Sequence, residues 1–132
     1  MMKKSKTITK RTTRVPKTRN ANTMTEAQFY SMLRSALRGK SRFWKPILNC
    51  KLKARRVYKG SNKKQRWEYK CAECEEWFME KEISVDHIIP AGSLQSLNDL
   101  PGFTERLFIE DDGLQCLCGK CHNIKTQKER KK

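Results

Sequence analysis

The chain has 132 residues, of which 36% are hydrophobic and 33% are charged, so it can build one domain with a small core. Its 30 Lys and Arg residues outnumber its 14 Asp and Glu residues, which gives a formal net charge of +16. This excess favours nucleic acid over a membrane surface, because the chain has no basic amphipathic stretch with a wide apolar face. Charge alone does not distinguish DNA from RNA.

The N-terminus and the cysteines predict a reducing, cytoplasmic setting. The first residues are basic, but no apolar stretch as long as a signal peptide requires follows them, and we expect no membrane span. The six cysteines are then expected to be reduced thiols available for metal rather than a disulfide framework. A domain this small often needs such a staple.

Residues 1–22 are predicted to form a disordered basic arm. The segment is rich in Lys and Arg, contains few apolar residues and precedes the first acidic residue, Glu26. We expect the arm to follow phosphates and to add non-specific affinity, whereas a solvated tail without a role is the alternative.

Residues 23–64 are predicted to form a basic helical extension. Thr25 and Gln28 fit a capping box that starts a first helix, and Gly39 suits the end of that helix. The apolar residues that recur at helical spacing and are expected in the core are Phe29, Met32, Leu33, Ala36 and Leu37.

A second helix is expected to begin at Pro46, which suits a first helical turn, and to run to about Val57. Its outer cations, which could contact phosphate, are Lys51, Lys53, Arg55 and Arg56. Between the helices, Trp44 lies in a basic, aromatic connector over residues 40–45. Stacking on a base is one role for Trp44, but a Trp beside a proline more often packs as a lid over a core.

Residues 65–132 are predicted to form a small domain of the α+β class. Short strands are expected over residues 66–70 and 83–85, and the second strand delivers Asp86 and His87. The later elements are expected to be a helix over 103–110, a turn over 111–113, a return segment over 114–117 and a last helix from near Gly119.

Two CxxC pairs predict a structural zinc site. The pairs are Cys71 with Cys74 and Cys118 with Cys121. Each pair lets two thiolates reach one ion, and two pairs complete a closed tetrahedral site that holds the fold rather than reacts. A redox role is disfavoured because two pairs occur outside a βαβ context. The gap between the pairs is longer than in a compact zinc ribbon, so we expect a functional insert there.

An acidic residue and the two histidines of the chain, Asp86, His87 and His122, lie beside these cysteines. Adjacent residues on an extended strand point to opposite sides, so one of Asp86 and His87 can bind a metal while the other works on the reacting atom. A carboxylate suits Mg2+ or Mn2+, and an imidazole suits a general base on water. His122 follows Cys121 directly and could supply a second ligand to a metal held by Asp86.

Residues 69–126 resemble the HNH endonuclease family in its four-cysteine, ββα-metal form. The matching runs are Cys71-x-x-Cys74, Asp86-His87-Ile88-Ile89-Pro90 and Leu114-Gln115-Cys116-Leu117-Cys118-x-x-Cys121-His122-x-x-Lys125-Thr126. They cover a little under half of the chain. The upstream residues, which include Phe43-Trp44-Lys45-Pro46, resemble more weakly the N-terminal extension of small bacteriophage HNH proteins.

The resemblance implies a zinc-stapled ββα-metal (treble-clef-like) fold and a phage-encoded phosphodiester hydrolase that nicks or cuts DNA in the host cytoplasm. It implies that Asp86 and His122 bind a catalytic divalent ion, which is Mg2+, Mn2+ or another metal. It makes His87 the general base that activates water. It brings Lys125 near substrate phosphate, where a solvated helix residue is the alternative.

The chain departs from the family pattern at one position. Counting back from Cys118 puts the family's central Asn at Gly113, which has no side chain to tie the loop or to orient the base. Asp111, Asp112 or a backbone carbonyl could take this role. Two alternatives to an active endonuclease follow: a zinc-stapled nucleic-acid-binding protein with a weakened or inactive HNH site, and a phage packaging accessory protein.

Overall fold

The computed structural model describes residues 14–130, and within that range it contains four helices and two antiparallel sheets. The helices are α1 (Glu26–Ser41), α2 (Lys45–Ala54), α3 (Leu100–Leu107) and α4 (Gly119–Arg130). The strands are β1 (Arg55–Val57), β2 (Trp67–Lys70), β3 (Trp77–Phe78), β4 (Ile83–His87) and β5 (Leu114–Cys118). Short 3-10 turns lie at Glu80–Glu82, Leu97–Asp99 and Asp111–Gly113. The α+β class predicted from the sequence is confirmed.

Helix α1 begins where the sequence predicts, at a reciprocal cap. The Gln28 backbone N–H donates to Thr25 Oγ1 at 3.1 Å, and the Thr25 N–H donates to Gln28 Oε1 at 2.8 Å. Two N–H groups that lack partners at the start of a helix are thereby satisfied. The predicted end at Gly39 is wrong, since α1 continues to Ser41. A single glycine weakens a helix without forcing it to end.

The core side of α1 differs from the predicted one. Tyr30 is buried, with 6% of its surface exposed. The half-buried residues that pack in the same cluster are Phe29, Leu33 and Leu37. Met32, 46% exposed, and Ala36 were expected in the core but face solvent. Only a narrow stripe of α1 is covered, where the helix lies against α3.

Helix α2 is shorter than predicted, because the residues after Ala54 pair with a strand. Pro46 lies in the first turn, as expected. The predicted extension of the helix is wrong, since Arg55–Val57 forms β1 and pairs antiparallel with β2. The Arg55 guanidinium also lies 3.8 Å from the Trp67 ring centroid. The ladder and this cation–π contact outweigh the local helical pattern.

Strands β4 and β5 form the sheet that positions the candidate site. They pair antiparallel from Ile83 opposite Cys118 to His87 opposite Leu114. Helix α4 follows β5 without an intervening loop, so β4, β5 and α4 form a ββα unit. The strand that the sequence predicts before Asp86 is confirmed, and it includes Asp86 itself.

Two clusters of buried side chains hold these elements together. The first, where α2 covers β2, β4 and β5, contains Cys50, Tyr69, Cys71, Ile83, Leu114, Cys116, Leu117 and Cys118. The second, around α1 and α3, contains Tyr30, Ala91, Leu94, Phe103 and Leu107. Trp44 Nε1 donates to the Ile109 carbonyl at 2.7 Å, and the Trp44 ring packs edge-on against Phe108. Trp44 is therefore a packed lid, the alternative that its sequence context favoured.

The end of the basic N-terminal segment lies against α1. Residues 1–13 of the predicted arm lie outside the described residues. Arg19 forms an ion pair with Glu26 at 2.8 Å, and its guanidinium lies 4.3 Å from the Phe29 ring centroid. Thr18 Oγ1 also donates to Glu26, at 2.7 Å. These contacts fix the chain just before α1.

Candidate functional site

Four cysteine sulfurs gather at the junction of the two sheets and α4. They belong to Cys71, Cys74, Cys118 and Cys121, and all four lie within 4.8 Å of one another. Tetrahedral zinc with Zn–S bonds of about 2.3 Å would separate its sulfurs by about 3.8 Å. Cys74 Sγ and Cys118 Sγ are 4.0 Å apart, which is close to that edge. The cluster can therefore hold a metal such as zinc, as the two CxxC pairs predict.

The backbone around Cys71 favours a thiolate. Cys71 directly follows β2, and the Cys118 N–H donates to Cys71 Sγ at 3.4 Å. Burial by itself would raise the pKa of Cys71, but backbone N–H groups of Cys74, Cys118 and Glu73 outweigh it and lower the pKa to about 6. A metal ligand must be deprotonated, so these N–H groups prepare one sulfur for the ion.

Asp86 and His122 approach each other across the ββα unit. Asp86 lies on β4, and His122 lies in the first turns of α4, directly after the cluster cysteine Cys121. His122 Nε2 is 3.6 Å from Asp86 Oδ1. This distance is longer than a strong hydrogen bond. The sequence predicts this pair as joint ligands, and the structure brings the two side chains together.

The second carboxylate oxygen of Asp86 lacks a hydrogen-bond donor. Among the described residues, Asp86 Oδ2 is buried without a hydrogen-bond partner. Lys125 Nζ lies 2.8 Å away, but it is not aligned as a donor, so the contact is an ion pair. A buried carboxylate oxygen normally finds a donor or a metal. Asp86 therefore attracts a cation, and within the described residues that cation is the Lys125 ammonium.

Lys125 makes contacts at this site that the sequence does not predict. Its ammonium contacts Asp86 and Glu129 and donates to the His87 carbonyl at 3.0 Å. Burial would lower the pKa of Lys125, but the neighbouring Asp86 and Glu129 carboxylates raise it above its ordinary value. The available signal was helical spacing, since His122 and Lys125 are three residues apart and share one face of α4.

His87 is held by a backbone carbonyl at the end of α3. Its Nε2 lies 2.8 Å from the Leu107 carbonyl oxygen. A carbonyl can only accept a hydrogen bond, so Nε2 carries the proton when the ring is neutral. The lone pair of Nδ1 is then free to accept a proton. The contact therefore fixes the tautomer of the neutral His87 ring.

The backbone carbonyl of Gly113 ties the loop before β5 to the end of β4. The Ile88 N–H donates to the Gly113 carbonyl at 3.0 Å, which fastens the end of β4 to the 3-10 turn before β5. Asp111 is committed elsewhere, since its carboxylate pairs with Lys53 at 2.6 Å. Hydrogen bonding to the Lys53 ammonium lowers the pKa of Asp111. Of the possible substitutes for the asparagine, the backbone carbonyl is the one that makes such a contact.

The other cations assigned to nucleic acid make contacts within the chain. Lys53 pairs with Asp111, and Arg56 pairs with Glu68 at 2.6 Å while its guanidinium lies 3.7 Å from the Trp77 ring centroid. Arg55 stacks on Trp67. Several exposed cations have no sequence motif that marks them: Arg42, Lys45, Lys59, Lys63, Lys64 and Arg66.

Comparisons with protein-family models, with curated proteins and with solved structures gave no match. The chemistry of the site therefore has to be inferred from its own residues. Across residues 14–130, no helix combines the length and the apolar character needed to cross a membrane.

Proposed function

We propose that this protein is a divalent-metal-dependent endonuclease of the HNH type, which hydrolyses phosphodiester bonds in DNA by nicking or by double-strand cutting. One observation carries the proposal. Asp86 Oδ1 and His122 Nε2 lie 3.6 Å apart, and the residue after Asp86 on β4 is His87, whose ring is held by the Leu107 carbonyl. A cation ligand pair next to an oriented base is the constellation that metal-assisted phosphodiester hydrolysis requires.

Asp86 and His122 would hold the catalytic ion, Mg2+, Mn2+ or another divalent metal. An ion bound there would stabilise the charge that develops on the phosphate and on the leaving 3′ oxygen. The carboxylate is a hard ligand, and its buried Oδ2 lacks a hydrogen bond among the described residues. Two protein ligands leave further coordination positions for water and substrate.

His87 would act as the general base. With Nε2–H donated to the Leu107 carbonyl, Nδ1 can take a proton from the water that attacks phosphorus. The same hydrogen bond would then stabilise the imidazolium, because a carbonyl dipole favours positive charge on the ring. The Lys125 ammonium lies 2.8 Å from Asp86, so its charge would attract the phosphate of a substrate bound at this site.

Zinc in the four-cysteine cluster would act through position rather than chemistry. Cys121 and His122 are neighbours in α4, so a metal that fixes Cys121 also fixes the backbone of His122. The net charge of +16 supports a nucleic-acid substrate, since the phosphate backbone attracts such an excess of cations.

A second candidate is a zinc-stapled nucleic-acid-binding protein, such as a phage packaging accessory protein, whose site does not cut. The observation in its favour is the ion pair between Lys125 and Asp86, which supplies the carboxylate with a positive charge from the chain itself. Gly113 also contributes no side chain to the loop beside His87.

A plasmid-nicking assay separates the two candidates. Zinc-loaded protein is incubated with supercoiled DNA across Mg2+, Mn2+ and other divalent ions, with His87→Ala beside the wild type. Gln127→Ala is the control, since Gln127 is exposed on α4. We expect metal-dependent nicking that falls by roughly a hundredfold to ten-thousandfold in His87→Ala and is unchanged in the control. DNA binding without nicking in any metal would favour the second candidate.

A further inference from the structure

Phe43 lies outside the core. With 81% of its surface exposed, it is the most exposed large apolar side chain in residues 14–130. Its backbone N–H donates to the Lys40 carbonyl at 3.1 Å, and the Trp44 N–H donates to the Ser41 carbonyl at 3.0 Å. Trp44, the next residue, packs inward and donates to the Ile109 carbonyl, while the Phe43 ring lies in solvent. An aromatic ring exposed in this way is an unused contact surface.

A cleft of about 420 Å³ lies beside the Phe43 ring. Leu48, 54% exposed, adds a second apolar surface to it. Arg42 and Lys45 line it as exposed cations, and Lys51, which also lines it, pairs with Glu80 at 2.7 Å. No acidic residue lines this cleft within the described part of the chain. The surface therefore combines one aromatic face with positively charged side chains.

We propose that this cleft binds an unpaired nucleobase of a DNA strand, with the base stacked on Phe43 and the flanking phosphates on Arg42 and Lys45. Every base offers a π-face, so stacking on an aromatic side chain tolerates any sequence, while cations follow the backbone. A paired base does not offer that face, because its neighbours in the duplex cover it. The inference rests on the proposed nucleic-acid substrate. It adds that the protein binds a DNA strand with unpaired bases in preference to a fully paired duplex.

The charge around Phe43 argues against a second copy of the chain as the occupant. A symmetric contact through Phe43 and Leu48 would bring Arg42 and Lys45 of both copies together, in a chain whose net charge is already +16. Like charges placed together across an interface oppose association. The same charges attract a polyanion.

The segment over residues 107–113 connects this cleft to His87. The Leu107 carbonyl contacts His87 Nε2 at 2.8 Å, and the Ile109 carbonyl accepts the Trp44 indole N–H at 2.7 Å. The backbone that orients the base therefore also anchors the residue behind Phe43. A DNA strand bound at Phe43 would therefore have a fixed position relative to His87, because the same short segment holds His87 and Trp44, the neighbour of Phe43.

The test measures binding by full-length, zinc-loaded protein without added Mg2+ or Mn2+, so that DNA is not cut. The probes are a single-stranded oligonucleotide carrying 2-aminopurine and the same sequence as a fully paired duplex. Phe43→Ala is compared with Phe43→Tyr, which keeps a ring, and with Leu97→Ala, which removes an apolar side chain that is 53% exposed elsewhere. Because Phe43 is so exposed, its truncation should leave the fold intact.

We expect Phe43→Ala to weaken single-strand binding by roughly fivefold to a hundredfold, as removal of one stacking platform typically does, and to abolish the 2-aminopurine quenching. Duplex binding should change little, Phe43→Tyr should restore both signals, and Leu97→Ala should match the wild type. An equal weakening on single strand and duplex would overturn the inference. So would a Phe43-dependent dimer in sedimentation with unaltered DNA binding, which would make this face a contact between copies.

The same measurements separate this inference from the proposed function. If the wild type nicks plasmid but Phe43→Ala binds single strands as tightly as the wild type does, only the proposed base-binding cleft is refuted. Wild-type protein that binds neither probe would refute both.

Discussion

The side chain of Ile109 occupies the space into which a side chain at Gly113 would project. A Cβ built at Gly113 would overlap Ile109 Cγ1 and lie 3.1 Å from Cγ2. These atoms are at the base of a β-branched side chain, so they cannot swing away as the tip of a flexible one could. The glycine is thus explained by a close approach, and an asparagine at this position would not fit this packing.

Gly113→Ala should therefore lower the free energy of unfolding by about 1–3 kcal/mol, as overpacking typically does. Gly119→Ala is the matched control, since a Cβ at Gly119 meets nothing within 4 Å. In an Ile109→Ala background the cost of Gly113→Ala should fall sharply. Urea denaturation of the four variants and the wild type measures the coupling, and equal costs in both backgrounds would refute the steric explanation.

Cys74→Ser should release bound zinc and unfold the ββα unit, because structural zinc supplies folding free energy. Cys74 is exposed, so the variant loses a ligand and little packing. Cys50→Ala is the control, since Cys50 is a buried thiol outside the four-sulfur cluster. Metal analysis and thermal melts should show about one zinc per chain in the control and none in Cys74→Ser. A folded Cys74→Ser protein without zinc would contradict the prediction.

Lys125→Met should destabilise the protein, because it leaves the buried oxygen of Asp86 without a positive charge nearby. We expect the free energy of unfolding to fall by about 1–3 kcal/mol. If Asp86 and His122 bind a divalent ion, Mn2+ should stabilise this variant more than the wild type, since the ion replaces the missing ammonium. Lys128→Met, at an exposed position on the same helix, should behave as the wild type. Equal Mn2+ effects in all three proteins would argue against a cation site at Asp86.

Removal of residues 1–13 should weaken DNA binding at every sequence and reduce its dependence on salt. The cations removed are Lys3, Lys4, Lys6, Lys10 and Arg11. For each phosphate that these cations no longer neutralise, the slope of log affinity against log salt should become shallower by about 0.9. Arg19 and its contacts with α1 are retained, so circular dichroism should be unchanged. An unaltered salt slope would mean that the arm does not contact phosphate.

Features set by neighbouring residues could be predicted from the sequence, as α1 illustrates. Thr25 and Gln28 are three residues apart, and their reciprocal hydrogen bonds need nothing from the rest of the chain. The cysteine pairs are similar, since each CxxC segment brings two sulfurs together locally. The joining of the two pairs into one cluster followed from the number of ligands that zinc requires.

Features set by distant residues could not be predicted in the same way. Arg55–Val57 reads as helix by its own pattern and becomes a strand because β2 lies beside it. The sequence places Lys125 near substrate phosphate or in solvent and does not predict its contact with Asp86, which belongs to another element of the ββα unit. Tyr30 replaces Met32 in the core because α3 covers only one stripe of α1. In each case the deciding contact is far away in the sequence.

Cys74 and Cys118 are 44 positions apart in the sequence, so the four-sulfur cluster forms only after a long loop closes. Asp86 and His87 lie inside this stretch, and His122 lies just beyond it. Closing so long a loop costs entropy, and metal binding at the four sulfurs offsets that cost. A newly synthesised chain therefore contains Asp86, His87 and His122 before folding brings their side chains together. If the four sulfurs bind zinc, the supply of metal, rather than the end of translation, would decide when Asp86 and His122 meet.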